Sequence, residues 1–421
     1  MARKLASIVE IESCDPIPDT ERLSVAKMKG KGWKVVTGRD EFHGGDLAVY
    51  FEIDSFLDAT DERYAFLKDR CLKKFVSKSG NVLREGIRIK TIKLRGVISQ
   101  GLIMPLSAFV GKEILVDYLL ANQEGVVSED VNPVSKEELD GVFISTLYYN
   151  KEVVGEDGTT TTEKVEVGVG SDLTELLHVE HYDEVKEQLL PLSPQTGGGL
   201  CGDAIGSFPS TWIPKSDEER IQQNTEYFDK CKGMTFEITA KDDGTSCTIA
   251  FSPSIDFYNP NVVCSRNIRL KRETAAGVVP IYWQMAEKYH ILEKLSDLLL
   301  EGKEWAVQGE IVGCGIQKNR DAYNECEFHV FRIWDIKNQK FISPDERRKF
   351  CEEFEIPHVQ VLETHYPFFD KVRTIEEALL FAEGETARGH EREGVVLKQD
   401  DGNGDVHLKI ISNKYLLSEK D

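Results

Sequence analysis

The 421-residue chain carries 73 Asp and Glu against 52 Lys and Arg, a formal net charge of −21, with 40% hydrophobic and 30% charged residues. This is a globular composition, and it excludes a protein that coats nucleic acid by bulk positive charge, though not one with a local basic groove. No apolar run is long enough to span a bilayer, and the start, MARKLASIVEIES, lacks the apolar stretch of a signal peptide. No membrane partner is expected, and an intracellular location is: cytoplasmic, with a nuclear or viral setting also open. The 9 cysteines form no CxxC pair and fit neither a disulfide framework nor a zinc ribbon, so plain thiols are expected.

The length allows two domains, each with its own core. In chain order, 5–11, 32–37 and 46–53 read as short strands rich in β-branched and aromatic residues. Residues 87–94 alternate and are basic, with Arg88, Lys90, Lys93 and then Arg95; 101–106 is apolar. Several short strands within roughly a hundred residues predict a small β-barrel, an OB fold before others. From about 112 to 206 the texture changes, with Gly155-Glu-Asp-Gly158, a Thr run at 159–162, many acids and three glycines at 197–199. This predicts an acidic, partly flexible insertion near 113–168 inside a first domain of 1–185, then a linker over 186–206. His178 and His181 lie close here, but without a third ligand nearby an exposed or capped His is favoured over a metal pair.

From 207 to 421, strand patterns recur at 234–241, 246–251, 305–312, 327–336 and 394–399. Tyr282, Met285, Ala286, Tyr289, Leu292, Leu295 and Leu299 fall at helical spacing and predict a core face. Thr374 with Glu377 forms a capping-box pattern for a helix through Phe381. Irregular alternation of strand and helix predicts an α+β domain with antiparallel sheets.

At the end of the strand pattern 234–241 stands Lys241-Asp242-Asp243-Gly244-Thr245-Ser246. In an extended strand Phe236, Ile238 and Ala240 share one face, and Glu237, Thr239 and Lys241 the other. The Asp-Gly step predicts a hairpin, with 246–251 returning as the partner strand. A lysine at a strand end over a cleft suits attack on phosphorus once deprotonated; burial, nearby cations or a metal would lower its pKa. Alone, K-x-D-G reads as readily as a charged hairpin tip, so order and company decide.

That company is extensive. Phe208-Pro-Ser-Thr-Trp-Ile-Pro runs on to Asn224 upstream. Cys264-Ser-Arg-Asn267, Gln308-Gly-Glu310, Glu327-Phe-His-Val-Phe-Arg-Ile-Trp-Asp335, Glu393-Gly-Val-Val-Leu-Lys398 and His407-Leu-Lys-Ile-Ile-Ser-Asn-Lys-Tyr415 follow downstream. In this order the chain resembles the covalent nucleotidyltransferase superfamily of ligases and capping enzymes, and within it the nick-sealing, ATP-dependent RNA ligases with an N-terminal OB domain. The resemblance covers about 1–110 and 170–421; 113–168 has no counterpart.

The resemblance implies an OB-type barrel followed by a nucleotidyltransferase (ATP-grasp-like ligase adenylation) domain over 207–421. Lys241 would carry AMP covalently after reaction with ATP. Arg220 would contact the ATP phosphates, Arg266 and Asn267 the sugar and phosphate side, Phe331 the adenine face and Lys409 the α-phosphate. Glu310 would bind the ribose or a hydrated metal, and Glu393 would face the metal. Asp243, Glu310 and Glu393 offer hard oxygens suited to Mg²⁺ or Mn²⁺ held through water. Many relatives carry a second lysine in the last motif where this chain has Ile411, and Lys414 is the candidate stand-in. Asp242, at the variable motif position, has no assigned role.

The function so implied is joining of an RNA 3′-OH to a 5′-phosphate, at nicks in duplexes, by a monomer, through lysyl-AMP and an adenylylated 5′ end. The barrel would bind the backbone through Arg88, Lys90, Lys93 and Arg95; protection of an edge strand is an equal reading of those charges. No further domain is expected after the last motif. A capping guanylyltransferase or a DNA ligase would place an OB domain there. A non-catalytic RNA-binding protein on this scaffold would lack Lys241, Glu310, Glu393 or Lys409.

Overall fold

The structure is a computed structural model that describes residues 3–77, 80–120, 142–154, 159–182, 185, 204–215, 217–274, 277–401 and 406–418, with backbone alone at 117–120 and 142–145. It divides into two compact units, Met1–Leu189 and Leu190–Asp421.

The first unit is built on the strand Ala6–Pro16, whose pairing shifts register between Ile11 and Ser13. Such a bulge bends a strand, so one half serves each side of a closing sheet. Its first half pairs with Leu47–Phe51 and its second with Leu23–Met28. With Leu102–Pro105 and Lys34–Gly38 on the flanks this makes a five-stranded antiparallel sheet. Ile8, Val49, Phe51, Leu57, Ile87 and Phe109 fill its core.

Two expectations fail here. Residues 87–94 are not one strand: Val82–Arg88 belongs to a four-stranded sheet, whereas Thr91–Leu94 forms a hairpin with Val97–Gln100. Nor is the described part of 113–168 a loose insertion. Leu115–Leu120, Val142–Val154 and Thr160–Val167 form a three-stranded antiparallel sheet, and Leu147 enters the core. The chain then returns to the first strand, where Leu173 N donates to Ala6 O at 2.9 Å. Acids and threonines suggested a linker, but β-branched residues such as those of Thr160–Val167 favour a pleated strand. Residues 121–141, 155–158 and 186–203, including most of the expected linker, lie outside the described residues.

In the second unit two sheets face each other. A five-stranded sheet runs in the order Glu219–Arg220, His407–Ile411, Gly394–Gln399, Phe236–Lys241, Val361–Tyr366. A seven-stranded sheet includes Thr245–Phe251, Trp305–Val312 and Glu327–Asp335 side by side. The expected strands are thus present, but the expected hairpin is not. Lys241 pairs with Gly394, whereas Thr245 pairs with Ile311, so the chain crosses from one sheet to the other over 242–244. Gly244 permits this: a Cβ there would lie 2.3 Å from Ile311 O. The expected core helix is two helices, Ile281–Lys288 and Ile291–Leu300, broken at His290 with φ 51°. The break shifts the phase, so Leu298 rather than Leu299 is the buried leucine of the last turn. Thr374 caps Ile375–Ala382 as expected, accepting from Glu377 N at 3.2 Å.

The outer face of the five-stranded sheet packs Phe236, Ile238, Val395, Leu397, Leu408 and Ile410 against Phe368 and Phe369. Its inner face is polar yet buried. Glu237, with no exposed surface, is held 3.0 Å from Arg347, itself 1% exposed, and also meets Arg348. Removing one partner of a buried pair strands the other charge and costs about 3–5 kcal/mol. Glu237→Ala is therefore expected to lower the urea midpoint sharply, and adding Arg347→Met to recover much of the loss. Tryptophan fluorescence during urea unfolding checks this; an unmoved midpoint would show that the pair, which joins the strand to the helix Pro344–Glu353, does not stabilise the fold.

Candidate active site

Lys241 ends its strand on the polar face, where the alternation put it. Its Nζ lies 2.9 Å from the carboxylate of Glu393, the residue just before the neighbouring strand. The facing sheet supplies Glu310, which pairs with Ser246 across the strand that begins after the corner. Asp243, in the corner, lies 3.5 Å from Arg320 Nε. Its neighbour Asp242 turns the other way, with Oδ2 2.7 Å from His329 Nδ1; His329 Nε2 is 3.3 Å from Glu327.

The electrostatics differ from the expectation of nearby cations. Burial alone would lower the Lys241 pKa, but Glu393, Glu310 and Asp243 outweigh it and hold the ammonium protonated. Burial, together with Glu393, Asp242 and Asp243, pushes Glu310 up to about 8 against the pull of Lys241. Burial and Asp243 raise Glu393 as well. Carboxylates thus outnumber the one ammonium, but among the described residues no three or more His, Cys, Asp or Glu side chains are grouped to hold a metal ion, so a divalent cation here would be held through water.

A second cluster lies along the same sheet. Arg220 pairs with Lys409 in parallel strands. Lys409 Nζ is 2.6 Å from Asp217, and Arg266 reaches the same carboxylate at 3.4 Å. Burial and Arg220 lower the Lys409 pKa, while Asp217 works against them. Asn267 is close by in sequence and accepts from Lys215 at 2.8 Å. Lys414 does not join this cluster. It sits on the helix Asn413–Ser418, exposed, 2.6 Å from Glu383. The strand has ended before it, so strand alternation no longer aims it inward.

Phe331 lines a cavity of about 530 Å³ with Arg332, Phe341, Lys398 and His407. The Phe331 carbonyl accepts from Arg347 at 3.0 Å and from Lys398. Burial and Arg347 bring the Lys398 pKa down to about 7. Burial, Arg332 and Lys398 bring His407 to about 4. Sequence reasoning missed Asp217, Lys398 and His407 as site residues. All three lie within the quoted motif segments, and His407 stands two residues from Lys409 and hence on its face.

The basic residues of the first unit are not gathered on one strand. Arg88 ends its strand paired with Asp54 at 3.0 Å and stacked 4.2 Å over Tyr182. Lys90 follows in the connection, while Lys93 and Arg95 are exposed on the hairpin, Arg95 at its turn with φ 48°.

Comparison with known proteins adds the following. A family model described as RNA ligase matches residues 234–411, and one described as an OB-fold domain matches 5–106. Among solved structures, a mutant RNA ligase of Naegleria gruberi with ATP and Mn is 28% identical, with a TM-score of 0.71 and 100% of each chain covered. The same organism's RNA ligase with pyrophosphate is 29% identical at a TM-score of 0.71, covering 99% of this chain and 98% of that one. A further mutant with AMP and Mn is 28% identical at a TM-score of 0.70, with 98% of each covered. The search of curated proteins found no match.

Lys398 takes up a proton near 10.5 in the unfolded chain but near 7 when folded. The unfolded chain thus binds more protons across that window, so this lysine makes stability climb as pH rises from about 7 to 10.5. Lys398→Met is expected to flatten the climb. Urea midpoints taken along a pH series check it, and an unchanged slope would mean that the folded protein keeps this lysine charged.

Proposed function

We propose, on the match of residues 234–411 to the RNA ligase family model and the likeness to the Naegleria gruberi RNA ligase, that the chain is an RNA ligase that joins an RNA 3′-OH to a 5′-phosphate by way of a lysyl-AMP on Lys241. The observation that carries this reading is the pairing of Lys241 with Glu393 at 2.9 Å, at the corner where Asp243 follows and the strand carrying Glu310 begins to pair.

In the first step the Lys241 ammonium gives up a proton to water and Nζ attacks the α-phosphorus of ATP; a P–N bond forms, the bond to pyrophosphate breaks, and the second proton passes from nitrogen to water or the departing pyrophosphate. Lys409, Arg220 and Arg266 offset phosphate charge, with Asn267 on the sugar side. Phe331 stacks on the adenine at the mouth of its cavity. Asp243, Glu310 and Glu393 are the residues that would hold Mg²⁺ or Mn²⁺, through water; when bound, such a cation offsets the carboxylates that keep Lys241 protonated and steadies charge at the α-phosphate. In the second step AMP passes to the RNA 5′-phosphate. In the third the 3′-OH attacks that end and AMP leaves, so a difficult joining is split into easier transfers.

The substrate of this reading is a nick in an RNA-containing duplex, sealed by a monomer. Residues 1–185 act as the nucleic-acid-binding domain and 207–421 as the adenylyltransferase. Among the basic residues, Lys93 and Arg95 are the exposed candidates for backbone contact, whereas Arg88 is held in its ion pair with Asp54. No helix among the described residues is long and apolar enough to cross a membrane.

Incubation with α-labelled ATP and Mg²⁺, then denaturing electrophoresis and a chase with nicked duplexes bearing RNA or DNA 3′-OH ends, tests the reading. Label on the protein, lost in Lys241→Ala and with chelator, and chased into sealed RNA-ended product, is expected. Label from GTP in place of ATP would point to capping chemistry, and a preference for DNA ends to a DNA ligase. Phe331→Ala is expected to weaken ATP use by about 1–3 kcal/mol, roughly 5- to 150-fold, and to spare sealing of a pre-adenylylated end. Equal loss in both assays would remove the stacking role.

A further inference from the structure

Asp242 fills the variable position between the nucleophile and Asp243, and the reaction as described gives it no task. It is nonetheless held. Its Oδ2 lies 2.7 Å from Nδ1 of His329, and the two side chains are only 10% and 11% exposed. His329 Nε2 faces Glu327 at 3.3 Å, and the ring of Tyr323 meets the imidazole edge to face at 5.8 Å. With a carboxylate at each nitrogen, the ring cannot turn over without losing both contacts.

The location matters more than the contact. His329 and Glu310 are direct partners on neighbouring strands. The strand pair that offers Glu310 to Lys241 therefore also offers His329 to Asp242. The corner between the sheets is thereby pinned twice, once through Lys241 to Glu393 and once through Asp242 to His329. Between the pins lies the carbonyl of Asp242, 3.5 Å from Lys241 Nζ. Freeing the Asp242 side chain would let the peptide joining it to Asp243 rotate. That rotation would move the carbonyl touching the amine and the Asp243 carboxylate together.

We propose that His329, oriented by Glu327, is a positioning residue that clamps Asp242 and so aims the Lys241–Asp243 corner for formation of the lysyl-AMP bond. This rests on Lys241 as the nucleophile. The clamp serves the first step because only there is Lys241 Nζ the attacking atom; in sealing a pre-adenylylated end the attacking atom is the RNA 3′-OH.

The test uses the full chain with His329→Ala, His329→Asn, Asp242→Ala and the double variant His329→Ala/Asp242→Ala. Two quantities are measured: the rate of label transfer from α-labelled ATP against ATP concentration, and the rate of sealing a pre-adenylylated nicked duplex. Removing a residue that orients a site group commonly lowers activity about 10- to 100-fold. A loss of that size is expected in the maximal labelling rate for either alanine variant, with KM for ATP and the sealing rate changed by less than about threefold. The double variant should lose no more than the worse single one, since both break one contact. His329→Asn, whose amide nitrogen falls near the place of Nδ1, should restore most of the rate. If His329→Ala does not fold, Asp242→Ala breaks the same contact from the corner side. Additive losses, an equal fall in sealing, or unimpaired labelling in these variants would overturn the inference while leaving the ligase reading intact. A wild-type chain that takes no label would overturn the ligase reading first and this inference with it.

Discussion

Three residues must carry the chain from one sheet to the other between Lys241 and Thr245, and the rest of the catalytic unit depends on that crossing. Because it is so short, the end of one sheet and the start of the other are fixed edge to edge. Glu393 meets Lys241 from just before the neighbouring strand of the same sheet, whereas Glu310 belongs to the second sheet and is brought to this corner by the crossing. Gly244 meets the steric condition against Ile311 O. A side chain at that point would force the sheets apart at the place where the charges meet.

Bringing two polar sheet faces together buries charge, and the structure compensates by pairing. Glu237 of the first sheet pairs with Arg347 and Arg348 of the helix Pro344–Glu353, and Arg332 of the second sheet pairs with Glu218. Such pairs add little net stability compared with apolar packing, but they penalise any arrangement in which a partner is missing. The inner faces therefore tolerate few alternative registers. Lys398 is the exception in kind: it is kept beside Arg347 with its charge disfavoured, and it spends its hydrogen bond on the Phe331 carbonyl.

How much of this was legible in the sequence follows from the range over which each signal acts. Alternation along 236–241 placed Lys241 on the polar face because a strand with one apolar side has no other choice. The same local reasoning failed one residue later. Asp-Gly favours a hairpin in isolation, and only the fit of Gly244 against a strand some seventy positions away sends the chain to the other sheet. Lys414 shows the same limit. Beside Lys409 in sequence it resembles a second phosphate lysine, yet a helix begins at Asn413 and turns it toward Glu383. Asp217, Lys398 and His329 lie within motif segments but carried no assigned role, because what marks them is their partners, and those partners are set by sheet order. The three-stranded sheet within 115–167 was hidden differently: its acids outweighed its β-branched residues in a reading by composition.

The bridge from Asp217 to Lys409 and Arg266 has a consequence of its own. Two cations that face a site do not wait there as bare charge; they already share one anion supplied by the chain. An incoming anion at that point takes part in an exchange, one carboxylate released for one ligand gained. Its affinity is then a difference between two similar attractions rather than the sum of two full ones. Added salt weakens both sides of such an exchange, so binding there should respond to ionic strength less steeply than two uncompensated cations would suggest.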